Sequence, residues 1–271
     1  MHMLSARGIN YFQFDSFHSL PVDHAIFTRQ GGVSPAPWAT LNVGGTVGDE
    51  MDRVRINQQR ALQAIRRAPQ SVYDAWQVHS ATHIFTNEPR NGKPFVKADI
   101  LLTDAPDVTL FMRFADCVPI MLVDMKKRAV ALAHAGWLGT VRGAALSAVS
   151  ALKEHCGSKP QDLCAGLGPS IGPDHYEVGE DVLEVFSDAF PGQSEQHFHR
   201  TNGRLYLNLW SANETQLRSV GVERIEIASM CTACDLDHWF SHRAEQGMTG
   251  RFGAALALKK QRKGSGGNDG Y

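Results

Sequence analysis

His79, Cys117 and His134 are the residues of this 271-residue chain whose types and settings point most directly to chemistry. Each sits in a tight context: Trp76-Gln-Val-His79-Ser80, Ala115-Asp-Cys117-Val-Pro119 and His134-Ala-Gly-Trp137. Two imidazoles and one thiolate can hold zinc with a fourth coordination position left open, the pattern of a catalytic rather than a structural site. The chain between the second and third residues gives them a way to meet. Residues 118–123 and 129–133 read as two apolar strands around the polar stretch Asp124–Arg128. Antiparallel pairing about the middle of that stretch sets Cys117 opposite His134 on one face, with β-carbons roughly 4.5–5.5 Å apart. A bulge would spoil that register. His79 has to arrive from a separate segment.

Other residues have weaker claims. Arg29, in Thr28-Arg-Gln-Gly-Gly-Val-Ser34, precedes two glycines, so a guanidinium and backbone amides could together hold a phosphate. A simple Gly-Gly turn after a strand explains the same residues. Asn42, before Gly44-Gly45, either donates to a sugar hydroxyl or shapes that turn. Asp116 alternates away from Cys117 and suits a supporting role better than ligation. Ser241-His242-Arg243 and Thr249-Gly250-Arg251 form a cationic cluster on a long loop, where salt bridges are the plain alternative. Cys231-Thr-Ala-Cys234 could be redox-active or half of a zinc knuckle. Cys156 and Cys164 are eight apart on a helix end and a strand and do not make a second pair, so ordinary loop and core cysteines are the preferred reading.

These residues need a framework. The length suits one large α/β domain or two small ones, and the composition (43% hydrophobic, 20% charged) is ordinary for a globular protein. A net charge of −1 supplies no global field to recruit nucleic acid or an acidic membrane. No run of 18 apolar residues exists to span a bilayer, and Met1–Asn10 does not read as a signal peptide. Five cysteines, an odd number, suit free thiols in a reducing cytoplasm. The patterns predict a helix over Asp49–Arg67, strands over Asp99–Leu102 and Val108–Phe114, the hairpin, and a helix over 140–154 with Val141, Ala145, Val149 and Leu152 in one stripe. Further on they predict a strand at Leu163–Leu167, a helix at Glu180–Phe190, a strand at Arg204–Leu209, a helix at Ser211–Val220, and strands at Val222–Ala228 and Phe252–Leu258. The expected fold class is α/β, a mixed-sheet α+β arrangement, as one catalytic domain over 1–258 with a disordered polar tail at 259–271.

From about Phe27 to Leu258 the chain resembles the bacterial laccase-domain family, also called the multicopper polyphenol oxidase or purine nucleoside phosphorylase family. Thr28-Arg-Gln-Gly-Gly-Val-Ser34, Leu41-Asn-Val, Val47-Gly-Asp49, Gln77-Val-His79, Ala115-Asp-Cys117-Val-Pro119, His134-Ala-Gly-Trp137, Gly168-Pro-Ser-Ile-Gly-Pro173 and Phe240-Ser-His-Arg243 match in order. The resemblance implies metal ligation by His79, Cys117 and His134, which are also the expected catalytic residues; Arg29, Asn42 and Gln77 are the expected substrate contacts. It also implies a sandwich similar to toxin-like cysteine hydrolases. Leu138 stands where the family usually has Arg or Lys, and Asp174-His175 where it often has cysteine.

The implied activities are phosphorolysis of adenosine, inosine or methylthioadenosine, with a purine nucleoside and phosphate as partners, and deamination of adenosine. Zinc is the expected cofactor, and the family label admits copper. Multicopper oxidation itself needs many histidines, several as His-x-His pairs, and this chain has one pair, His197-Phe-His199. No His-x-Glu accompanies the trio, so no glutamate is assigned as proton carrier. Two rival readings remain. One is a Cys117-dependent amide hydrolase that removes misincorporated serine from peptidoglycan precursors, an activity linked to some relatives. The other is a purine-binding protein without turnover. Oligomeric state is not legible from the sequence.

Overall fold

The structure is a computed structural model that describes residues 1–260. Of the expected tail, residues 261–271 lie outside the described part. Lys259 continues the last strand's path, its amide donating to the Pro21 carbonyl.

Two six-stranded mixed sheets form the centre. The first runs His2–Ala6, Ile9–Gln13, Val22–Phe27, Phe252–Leu258, Thr109–Phe114, Val72–Tyr73. The second runs Arg224–Ile227, Leu163–Leu167, Val118–Asp124, Val130–Ala135, Ile100–Thr103, His83–Phe85. A small third sheet holds Glu177–Val178, Arg204–Leu207 and Phe198–Thr201. Neighbours in the two large sheets pair mostly antiparallel, with parallel pairs at the edges.

The period-2 alternation of strand side chains explains the layering. On Val118–Asp124, Met121 and Val123 pack inward against Met112, Phe114, Leu256 and Phe252 of the first sheet. Ile120 and Leu122 point outward, under Ala145, Ala148 and Leu152 of the helix Ala144–Cys156 and Leu217 of the helix Leu209–Ser219. A strand buried on both faces reads as a continuous apolar run, which is why 118–123 was legible. The outer face of the first sheet is covered by the helix Met51–Ala64 through Ala61 and Leu62 against Phe27, Phe111 and Ala255. The result is the mixed-sheet α/β fold that the sequence predicts, arranged as a sandwich with helices on both outer faces.

Two expectations are corrected. The hairpin register is shifted by two residues: Val118 faces Ala135 and Pro119 faces His134, so Cys117 lies diagonal to His134. The cause is Asp124, whose Oδ1 accepts the amides of Lys126 and Lys127 and whose own amide bonds to the Ala129 carbonyl. That Asx-type turn keeps Asp124 in the strand and moves the loop centre toward Arg128. A shift of two preserves the face, so both side chains still point the same way. The helix over 140–154 is two helices, Trp137–Val141 and Ala144–Cys156, broken at Gly143, whose φ of +76° a helix interior does not accept.

Candidate metal centre

Asp99 stands at the head of the Ile100–Thr103 strand and is fully buried. Its carboxylate accepts the amides of Val78, His79 and Ser80 (3.0 Å from His79, 2.7 Å from Ser80) and the Ser80 hydroxyl at 2.7 Å. Consecutive amides turned toward one anion form a nest, which requires a left-handed residue in the run. His79, with φ +58°, is that residue. The same carboxylate bonds His134 Nδ1 at 2.9 Å. One buried anion thus fixes the His134 imidazole and the backbone that carries His79, and leaves His134 Nε2 as the ring nitrogen free to ligate.

Gln77 braces the loop from the other side. Its amide group donates to the Arg113 carbonyl and accepts the Arg113 amide, copying a strand pairing on the edge of Thr109–Phe114. Arg142 donates to the His79 carbonyl at 2.5 Å from one turn beyond Leu138.

Cys117 enters from the residue before Val118–Asp124, after Asp116 at φ +82°. Opposite it in the hairpin's extended register is Gly136, where a β-carbon would lie 2.7 Å from Cys117 Sγ and 3.4 Å from the His79 ring. Glycine there leaves the thiol its place. The donor atoms of His79, Cys117 and His134 all lie within 4.8 Å of one another, and the two imidazole centroids are 5.0 Å apart. His134 is buried, Cys117 half-buried and His79 exposed, so the cluster opens to solvent on one side.

Electrostatics agree with a charged cluster. Burial opposes ionisation of all three inner groups, but their mutual attraction wins. The Cys117 thiol is held below its ordinary value by His134 and His79, and His134 is raised by the Cys117 charge and the Asp99 bond. Asp99 lies below the usual carboxylate range, because the His134 and Ser80 bonds outweigh its burial. The directions favour a charged line from Cys117 through His134 to Asp99.

A cavity of about 480 Å³ is lined by Trp137, Tyr176, Val178, Asp181 and Arg243, among others. Trp137 follows Gly136, and Tyr176 feels the Cys117 charge: burial first, then Cys117, pushes its phenol upward. The Arg243 guanidinium lies over the Tyr176 ring and donates to the Glu177 carbonyl at 2.7 Å. Asp116 accepts the Arg243 amide at 2.7 Å and so seats that residue at the rim. The Arg251 guanidinium is bonded to the Thr249 and Gly250 carbonyls; burial depresses its pKa against the pull of Cys117 and Asp116.

The trio meets, and the proposed substrate contacts do other work. The Arg29 guanidinium donates to the carbonyls of Ala39, Leu236 and Trp239 and to Glu245, and lies 4.3 Å from the Phe240 ring centroid. Asn42 is fully buried and bonds Gly44, Asp49 and the Arg251 amide, which is its turn-shaping alternative. Gln77 positions the His79 loop. Asp99 and Tyr176 had no role assigned from sequence. The available signal for Asp99 was one carboxylate leading directly into an apolar strand, a setting in which burial demands partners.

A family model described as multi-copper polyphenol oxidoreductase laccase matches residues 23–259. A protein named purine nucleoside phosphorylase from Bacteroides thetaiotaomicron is 29% identical over 94% of this chain and 97% of its own length. One named purine nucleoside phosphorylase YlmD, from Geobacillus stearothermophilus, is 34% identical over 86% of this chain and 89% of its own. The crystal structure of YlmD from that organism superposes with a TM-score of 0.89 at 32% identity, covering 95% of this chain and 98% of that one.

Proposed function

We propose that this chain, which belongs to the multi-copper polyphenol oxidoreductase laccase family, is a zinc-dependent purine nucleoside enzyme. It would cleave adenosine, inosine or methylthioadenosine with phosphate and deaminate adenosine. The observation that carries this is the convergence of His79, Cys117 and His134 donors within 4.8 Å, beside a cavity of nucleoside size. Relatives named purine nucleoside phosphorylase support the substrate class.

The residues fit zinc. One thiol and two imidazoles are its usual donors, and the Asp99–His134 bond is the carboxylate–histidine pairing that orients such ligands. Zinc held there would supply Lewis acidity at the reacting centre. In phosphorolysis, phosphate bonds to the ribose anomeric carbon as the bond to the purine nitrogen breaks. In deamination, water adds at adenine C6 and ammonia leaves. Arg243 is the rim cation that would hold the phosphate: its guanidinium makes one carbonyl bond, to Glu177, whereas the Arg29 guanidinium is held by three carbonyls and Glu245. Trp137 and Tyr176 offer flat faces for the base.

A second activity draws on one specific feature, the Cys117–His134–Asp99 line, which has the layout of a thiol hydrolase. In that case the thiolate would attack an amide, as in removal of serine from a peptidoglycan precursor. Zinc on Cys117 would block it.

The test is incubation of pure protein with adenosine and phosphate, followed by analysis for adenine, ribose 1-phosphate and inosine. Products are expected from the wild type and not from Cys117→Ala. Equal yields from both would overturn the proposal. Metal-free wild type that is alkylated at Cys117 and cleaves the amide substrate would favour the hydrolase.

A further inference from the structure

We propose that the chain carries a second zinc site, built from Cys231 and Cys234 with Asp174 and His175. Its four donor atoms come from two loops. Gly168-Pro-Ser-Ile-Gly-Pro173 delivers Asp174-His175, and the chain after Met230 delivers Cys231-Thr-Ala-Cys234. All four lie within 4.8 Å of one another.

Three of the four closest separations are those of a coordination tetrahedron, and the fourth, between Asp174 and His175, is shorter. Zinc bonds of roughly 2.0–2.3 Å to nitrogen, oxygen and sulfur place tetrahedral ligands about 3.3–3.8 Å apart. Here His175 Nδ1 lies 3.4 Å from Cys234 Sγ and 3.8 Å from Cys231 Sγ. Asp174 Oδ2 lies 3.6 Å from Cys234 Sγ and 3.0 Å from His175 Nδ1. As protonated thiols the two cysteines make only long, weak hydrogen bonds here, at 3.4–3.8 Å, with His175 Nδ1 shared between both sulfurs and Asp174. One central cation satisfies all of them at once.

Two further details fit metal-bound thiolate. The Gly172 amide donates to Cys231 Sγ at 3.1 Å, a bond that favours sulfur in its anionic form. A β-carbon on Gly172 would lie 2.7 Å from Asp174 Oδ1 and 3.0 Å from the Cys231 β-carbon, so glycine lets the two loops close on each other. Both cysteines are free of disulfide. Two soft thiolates select zinc over magnesium or calcium. On binding, the two thiol protons pass to solvent and the two sulfurs bond the metal, with no change of oxidation state.

The position gives the site a purpose. Thr232, between the cysteines, is fully buried and donates its hydroxyl to Asp116 at 2.6 Å. The Asp116 carbonyl accepts the Ile171 amide from the other loop. Both loops therefore root on the residue beside Cys117, and Tyr176 of the cavity wall follows His175 directly. A metal tying the loops together would hold that wall against the first centre. Four protein donors suffice for a tetrahedron, which suits a structural ion with no open position, at a surface site where Asp174, His175 and Cys234 are exposed.

The experiment uses the full chain, reduced and stripped of metal, carrying His79→Ala and Cys117→Ala so that the first centre cannot bind. Titration with cobalt is expected to fill one equivalent, with tetrahedral d–d absorption and a thiolate charge-transfer band. Adding Cys231→Ser and Cys234→Ser should abolish both signals while circular dichroism reports a folded chain. If that variant does not fold, His175→Gln alone is expected to weaken cobalt binding by about tenfold or more. No binding by the first variant under reducing conditions, or cobalt binding left unchanged by the serine or glutamine substitutions, would overturn the proposal. Turnover is not read, so this outcome is independent of the nucleoside assignment.

Discussion

Asp99 bonds His134 Nδ1 at 2.9 Å with an oxygen that also accepts the His79 amide at 3.0 Å, so one buried carboxylate sets the orientation of one imidazole and the backbone of another. The two histidines come from segments far apart in sequence, and this anion is their common anchor. Asp99→Asn keeps the shape and removes the charge. It should lower zinc affinity by roughly 10–100-fold, as loss of an outer ligand partner does. Competition with a chromophoric chelator would measure this, and unchanged affinity would show that the carboxylate does not tune the site.

Gly136→Ala should expel metal without unfolding the protein. The added β-carbon meets Cys117 Sγ at 2.7 Å, inside van der Waals contact, and the thiol has to move. Gly143→Ala is the contrast: its φ of +76° costs an alanine about 1–2 kcal/mol of stability, with no contact to the cluster. Zinc content should therefore fall in Gly136→Ala and stay full in Gly143→Ala, whose thermal midpoint falls instead. A Gly136→Ala protein with full zinc would contradict the packing described.

Arg29 and Arg243 should separate cleanly. Arg29→Ala removes bonds to three carbonyls and Glu245 and should cost about 2 kcal/mol or more in denaturant unfolding, with the KM for phosphate little changed. Arg243→Ala should raise that KM by roughly tenfold, about 1.4 kcal/mol of binding, in a protein that still folds. The reverse pattern would return the phosphate role to Arg29.

His24 predicts a pH dependence of stability away from the site. It is buried, its Nε2 accepts the Phe14 amide, and its Nδ1 has no partner among the described residues. Burial depresses its pKa from 6.5 to about 4, with Lys259 and His2 adding to the shift and Glu226 opposing it. The unfolded chain therefore binds a proton between those values that the folded chain refuses. The contribution is fully present above pH 6.5 and is lost as pH falls through about 4, amounting to about 3 kcal/mol. Chemical denaturation from pH 7 to 4 should show this slope, flattened in His24→Gln. An equal slope in both proteins would remove His24 as its source.

The layered fold was legible where burial on both faces left an unbroken apolar run, as in 118–123 and 252–258. The hairpin register was misjudged by two because the Asp124 turn depends on side-chain bonds to amides that composition does not reveal. The trio survived that error because side chains alternate with period two. Arg29 and Asn42 show the opposite limit. A guanidinium or amide beside glycines looks the same in sequence whether it serves a ligand or its own loops. The Cys231-x-x-Cys234 pair has no second cysteine pair in the sequence, and the structure brings Asp174 and His175 to it instead.

The most direct test of the central claim is anomalous diffraction at the zinc edge from crystals of the protein as purified. The expected result is a peak about 2.0–2.1 Å from one nitrogen each of His79 and His134 and about 2.3 Å from Cys117 Sγ. Active protein with no anomalous density among those three side chains would contradict it.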